Sequence, residues 1–173
     1  MNSLALQAKF PRRAPLAEAD GDVEINPENY DREGKLKPVR QLKAPVVPIH
    51  KGMLLYLTKN VRKDTDYING MRCTVEATDD ASQSVVVMTA TGRRVAVTSL
   101  CDEDLGGMRY YPLRPGYAST VMKFQGTELE RVVVYLDKPH VPAAAYTAMS
   151  RVRMGAQCLI GGWVTEHHFT PAR

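Results

Sequence analysis

The sequence predicts an α/β fold in which a small β-barrel precedes a parallel strand–helix–strand unit. Residues 46–108 break into four or five short β-type runs separated by turn residues, and closing such runs into a barrel removes exposed sheet edges. Residues 132–136 (VVVYL) form an unbroken apolar run, the mark of a strand buried on both faces of a parallel sheet. A helix-patterned stretch then leads to a second apolar run, giving a right-handed crossover of the kind common in α/β nucleotide folds. At 173 residues, 44% of them hydrophobic, the chain has room for one domain or two small ones, and a two-lobed motor does not fit.

Three textures follow one another. Residues 1–45 are rich in proline and charge and sustain no apolar period of 2 or 3.6, so they read as an extended polar arm or linker. In 46–108, residues 53–58 (MLLYLT) form the first strand candidate, and Asn69-Gly70 supplies the positive φ of a tight hairpin turn. Residues 72–77 alternate polar and apolar as a half-buried strand does, and 84–89 (SVVVMT) and 94–98 (RVAVT) flank the turn Ala90-Thr91-Gly92-Arg93. In 109–173, Pro142 suits a first helical turn. The helix runs through 143–153, with Ala145, Met149 and Val152 on one stripe and Gly155 as its stop. Residues 158–163 (CLIGGW) supply the second parallel strand.

No run approaches the roughly 18 apolar residues that span a bilayer, so no membrane association is expected. Cys73, Cys101 and Cys158 are odd in number and widely spaced, offering neither a disulfide framework nor a C-x-x-C knuckle, which fits a reducing, intracellular setting. In a eukaryote that setting is nuclear or mitochondrial; Lys9, Arg12 and Arg13 ahead of Glu18 also fit a mitochondrial presequence. His50, His140, His167 and His168 have neither i, i+4 pairing nor a neighbouring cysteine, and no metal site is expected. Asp102-Glu103-Asp104 imitates a magnesium-binding strand end, but Thr98 and Ser99 break the apolar run before it. Tyr110-Tyr111, beside Arg109 and Arg114, can stack on bases or close a domain junction. The net charge of +4 comes entirely from residues 109–173, with 8 basic and 4 acidic side chains, which marks where a phosphate-bearing ligand would sit.

Two windows carry the chemistry. In 116–128 a β-type run empties into Lys123, Gln125, Gly126, Thr127 and Glu128. Polar groups at the carboxyl end of a strand face the ligand crevice of an α/β sheet, although the same spacing fits a solvated turn. In 144–153 a helix ends on Arg151 and Arg153. Cations there satisfy the helix dipole, and an arginine fork also matches a γ-phosphate.

Thr120-Val121-Met122-Lys123-Phe124-Gln125-Gly126 and Tyr146-Thr147-Ala148-Met149-Ser150-Arg151 together resemble the last two motifs of superfamily-one DNA helicases of the PIF/RecD type, T-[IV]-H-K-x-Q-G and Y-[VT]-A-[LM]-S-R. Upstream, Gly52-Met53-Leu54, Thr58-Lys59-Asn60 and Ile68-Asn69-Gly70 resemble the entry into the small Src-homology-type β-barrel of that family's second motor lobe. The resemblance spans about residues 46–172 and implies a partial RecA-like parallel sheet in 109–173 with the barrel in 46–108. It further implies a nucleotide role for Gln125, Gly126 and Glu128, single-stranded-DNA contacts for Thr120 and Lys123, and a catalytic arginine finger at Arg151. Met122 replaces the family's histidine and removes one polar handle from the DNA contact.

A phosphate loop of the form G-x-x-x-x-G-K-[ST] does not occur in these residues, and Gly34-Lys35 is followed by leucine. The expectation is therefore the C-terminal portion of an ATP-dependent 5′–3′ DNA helicase that depends on a separate N-terminal ATPase lobe. ATP and Mg²⁺ would serve the intact helicase; this chain alone is expected to bind no cofactor and turn over no ATP. Two other classes stand beside it: a non-catalytic nucleic-acid-binding module, and a barrel serving protein interaction.

Overall fold

The computed structural model describes residues 2–11, 13–120, 128–136 and 142–170. They belong to two compact units, Met1–Ala118 and Ser119–Arg173.

The first unit is built on antiparallel strands. β1 (Ala17–Asp20) pairs with β2 (Val46–Ile49), and a five-stranded sheet contains β3 (Leu54–Leu57), β4 (Arg72–Asp79), β5 (Ser84–Thr89), β6 (Arg94–Thr98) and β9 (Leu113–Pro115). Its hydrogen-bonded order is β6-β5-β4-β3-β9, and a separate ribbon joins β7 (Leu100–Asp102) to β8 (Met108–Tyr110). Alternation decides the faces: β4 buries Cys73 and Val75 while exposing Arg72 and Thr74, and β6 buries Val95 and Val97. A bulge between Val75 and Ala77 shifts the β4–β5 register, so Val75 faces Val87 and Ala77 faces Val86. Leu55, Leu57, Val75, Val85, Val87 and Val97 then share one core with Ile49 and Met53. Asn69-Gly70 does form a turn, with only the glycine at positive φ (84°) and Met71 N–H donating to the Ile68 carbonyl at 3.1 Å. It feeds β4 after a longer excursion from β3, not as a two-residue hairpin.

The first 45 residues, expected as an extended arm, are instead packed into this unit. Leu6 and Phe10, from and just beyond α1 (Asn2–Lys9), enter the main core, and Phe10 stacks on His50 with ring centroids 4.7 Å apart. Val23 and Leu42 form a second cluster with Leu105 and Tyr110. Leu6 and Phe10 sit one helical turn apart, whereas Val23 and Leu42 reach the interior from separate 3-10 turns, so no period is sustained across the segment. Side chains replace the missing ladder: buried Asn29 donates through Nδ2 to the Val23 and Lys43 carbonyls, both at 2.8 Å, and its Oδ1 accepts the Lys43 N–H at 2.9 Å. Farther along, the Tyr110 hydroxyl donates to Asp102 Oδ2 at 2.7 Å, and Lys59 Nζ lies 2.7 Å from Glu24 and 3.6 Å from Asp102. The Tyr110 hydrogen bond, helped by the Lys59 charge, holds the Asp102 carboxyl below its ordinary range.

In the second unit β10 (Val132–Leu136) lies parallel to β11 (Cys158–Gly162), with Val132 opposite Cys158 and Leu136 opposite Gly162. α2 (Ala144–Met149) connects them and packs Ala145 and Ala148 on Val134 and Leu136. The helix expected through residue 153 ends at Met149. Ser150 turns its hydroxyl back to the Thr147 carbonyl at 2.9 Å, so the buried stripe is Ala145 and Ala148, while Met149 is exposed. Gly155 opens a short 3-10 turn instead of stopping the helix. β10 was expected to be buried on both faces; among the described residues α2 covers one, and Val133 (69%), Tyr135 (56%) and Leu159 (66%) are exposed on the other. Gly162 ends β11 with φ +90°, where a Cβ would lie 2.3 Å from the Leu136 oxygen; Trp163 N–H donates to that same oxygen at 2.7 Å.

Replacing Asn29 with alanine strips the Lys43 N–H of its partner and leaves the Val23 and Lys43 carbonyls with one donor each, both from Asn26, and should cost the first unit about 1–3 kcal/mol in denaturant unfolding. A loss below about 0.5 kcal/mol would show that these residues do not tie the segment down. Because the Asp102 pKa is lowered on folding, its contribution is present above the ordinary carboxylate value and is lost as pH falls through the folded value. The stability gap between the wild type and Asp102→Asn should therefore be full at neutral pH and close below about pH 4; a gap independent of pH would refute this assignment.

Candidate functional site

The two motif windows meet at their far ends. Leu129, just past the first window, donates its N–H to the carbonyl of Arg151 at 2.7 Å. One residue earlier, Glu128 Oε2 accepts from Arg153 Nε at 3.2 Å and Nη2 at 2.8 Å. Leu129 precedes β10 and Arg151 precedes β11, and the opening residues of the two strands, Val132 and Cys158, are paired. The junction thus assembles on the amino-terminal side of the parallel pair. The sequence pattern had suggested the carboxyl end of a strand running into Lys123, but β9 ends at Pro115 and residues 116–120 hold no strand. The local reason is Tyr117, whose hydroxyl takes the Leu54 N–H at 3.0 Å after the Gly116 N–H has bonded the Leu54 carbonyl at 2.9 Å.

Of the expected site residues, Thr120 is exposed, Glu128 is exposed and paired with Arg153, and Arg151 is partly exposed. Lys123, Gln125 and Gly126 lie outside the described residues. Arg151 Nε donates to the Thr147 carbonyl at 3.2 Å and Nη2 to the Ser150 hydroxyl at 2.9 Å, so the guanidinium rests on the last turn of its own helix. Those two contacts leave other donors of the fork for a ligand. The Glu128–Arg153 pair joins residues 25 apart, a separation with no sequence pattern to announce it.

The other residues singled out in the sequence have structural roles. Tyr110 is 1% exposed, which removes it as a base-stacking surface, and the Tyr111 hydroxyl donates to the Gln83 carbonyl. Burial pushes the Cys73 thiol up to about 12, far from a nucleophile's range. Buried His168 accepts the Thr165 N–H on Nδ1 at 3.1 Å. The Asp102 carboxylate is engaged by Tyr110 and Lys59, and no group of three or more His, Cys, Asp or Glu side chains among the described residues could hold a metal ion.

No family model matches the chain. In sequence it is 32% identical over 104 residues to the ATP-dependent DNA helicase Pif1 of Bdellovibrio bacteriovorus, a stretch covering 56% of this chain and 23% of that protein. In structure it resembles the Pif1 helicase from Bacteroides, solved with ADP-AlF3 and single-stranded DNA, with TM-score 0.65 and 16% identity over 99% of this chain and 40% of that one. The Pif1 helicase from Candida albicans gives 0.53 at 21% identity, over 74% of this chain and 35% of that one. The structural likenesses establish a shared α/β fold of mixed sheets. The chain spans between about a quarter and two-fifths of the length of these relatives. By sequence and by fold, the chain is similar to part of a Pif1 helicase.

Proposed function

We propose that this chain is the C-terminal portion of an ATP-dependent 5′–3′ DNA helicase. On this reading Ser119–Arg173 is part of a second RecA-like lobe, and the five-stranded sheet of Met1–Ala118 belongs to its inserted Src-homology-type barrel. The observation that carries the reading is the 2.7 Å bond from Leu129 to Arg151, which joins the flanks of the two helicase-like motifs at the amino-terminal ends of a parallel strand pair. The uncovered face of β10 and β11 supports it, because parallel sheets are normally packed on both sides. A further lobe bearing the phosphate loop would hold ATP and Mg²⁺ against this one.

Thr120 and Lys123 would face the DNA backbone; Gln125, Gly126 and Glu128 would border the nucleotide; and Arg151 would reach the γ-phosphate. When bound, ATP supplies the transferable phosphoryl group, and Arg151 stabilises the charge that develops on it. To turn its whole fork onto the γ-phosphate, Arg151 would exchange the Thr147 carbonyl and Ser150 hydroxyl, contacts at a helix end worth about 0.3–1 kcal/mol. A thousandfold gain in transfer rate corresponds to about 4 kcal/mol, so the exchange favours the phosphate. The basic excess of residues 109–173 favours one narrower reading, a nucleic-acid-binding module without turnover.

In an assembly that joins this chain to an ATPase lobe, Arg151→Ala should lower ATP turnover by about a thousandfold or more while ATP affinity changes little. The purified chain alone should show no DNA-stimulated turnover. Single-stranded-DNA binding that weakens steeply with salt, together with no turnover even in the joined assembly, would favour the binding module. ATP hydrolysis by the chain alone, or unfolding caused by Arg151→Ala, would overturn the finger assignment.

A further inference from the structure

We propose that Arg153 is a positioning residue for Arg151, acting through Glu128. The inference rests on the reading of Arg151 given above for its functional consequence, but its structural content is independent. Arg151 lies beyond Met149, the last residue of α2, and its own N–H closes a final turn on the Ala148 carbonyl at 3.1 Å, so the helix end fixes its amide side and not its carbonyl. What holds it toward the parallel pair is the Leu129 N–H on its carbonyl. That bond needs residues 128–129 kept at a fixed height beside residues 151–153. Arg153 does this by directing two donors, Nε and Nη2, onto Glu128 Oε2, one residue before Leu129 and two residues after Arg151. The backbone bond and the side-chain pair form a closed loop: 128 to 153 by charge, 129 to 151 by hydrogen bond.

The pair is exposed, with side chains 81% and 72% accessible, so its strength must be modest and salt-sensitive. That sensitivity separates a charge-based brace from simple packing. It also gives the Glu128 carboxylate a partner other than the nucleotide side to which the sequence resemblance assigned it.

The test is amide hydrogen exchange at Leu129 N–H in the 173-residue chain, read by NMR as a protection factor at low and high salt. Arg153→Glu should lower Leu129 protection about two- to fivefold at low salt, the scale expected for an exposed ion pair, and Arg153→Lys should retain part of it. The double reversal Glu128→Arg with Arg153→Glu should restore it. High salt should bring the wild type toward the single variant. Unchanged Leu129 protection in Arg153→Glu, failure of the double reversal to recover it, or a wild-type value indifferent to salt would each overturn the proposal. Amide protection within β10 and β11 reports separately whether a variant has unfolded the unit. The readout involves neither ATP nor DNA, so a failed brace and a failed finger remain distinguishable.

Discussion

Parallel strands cannot be joined by a tight turn, and that constraint organises the described residues of the second unit. β10 and β11 run the same way, so the chain must travel back along the sheet between them, and α2 makes that return. A helix leaving the end of one strand and returning to the start of the next places its own C-terminal turn beside the segment that enters the first strand. Leu129 meets Arg151 for this reason, though 22 positions separate them. Gly162 serves the same arrangement at the other end, since any side chain there would collide with the Leu136 carbonyl that receives Trp163.

The first unit meets its backbone obligations differently. Its core is a set of β-branched and leucine side chains from alternating strands, which needs only period-2 patterning and turns with one residue at positive φ. The polar segment before β2 has no such pattern, yet Val23 and Leu42 are buried. Asn29 and Asn26 make this possible by carrying hydrogen bonds that a strand partner would otherwise supply, with both reaching the Lys43 carbonyl. Each buried amide is useful only because all of its partners are in place, so the segment is ordered by a few fully satisfied polar groups more than by apolar area.

Electrostatics is graded across the molecule. The Tyr110–Asp102–Lys59 group is partly buried and sits where field effects shift proton affinity, whereas Arg153 and Glu128 are solvated and bind weakly. Arg151 lies between these extremes. It is partly exposed, and its guanidinium is held by a carbonyl and a hydroxyl instead of a carboxylate.

Local pattern was enough for the strands at 84–89, 94–98 and 132–136, for the turns at Gly70 and Gly92, and for the α/β class, because side-chain alternation and turn chemistry act within a few residues. The ordered motif pair was likewise a property of the chain itself. The packing of residues 1–45, the early end of α2 at Met149, the bare face of β10 and the Glu128–Arg153 pair were decided only in three dimensions. Each depends on a contact between segments far apart in sequence, or on which neighbours cover a face, and neither leaves a periodic trace in the residues that make it.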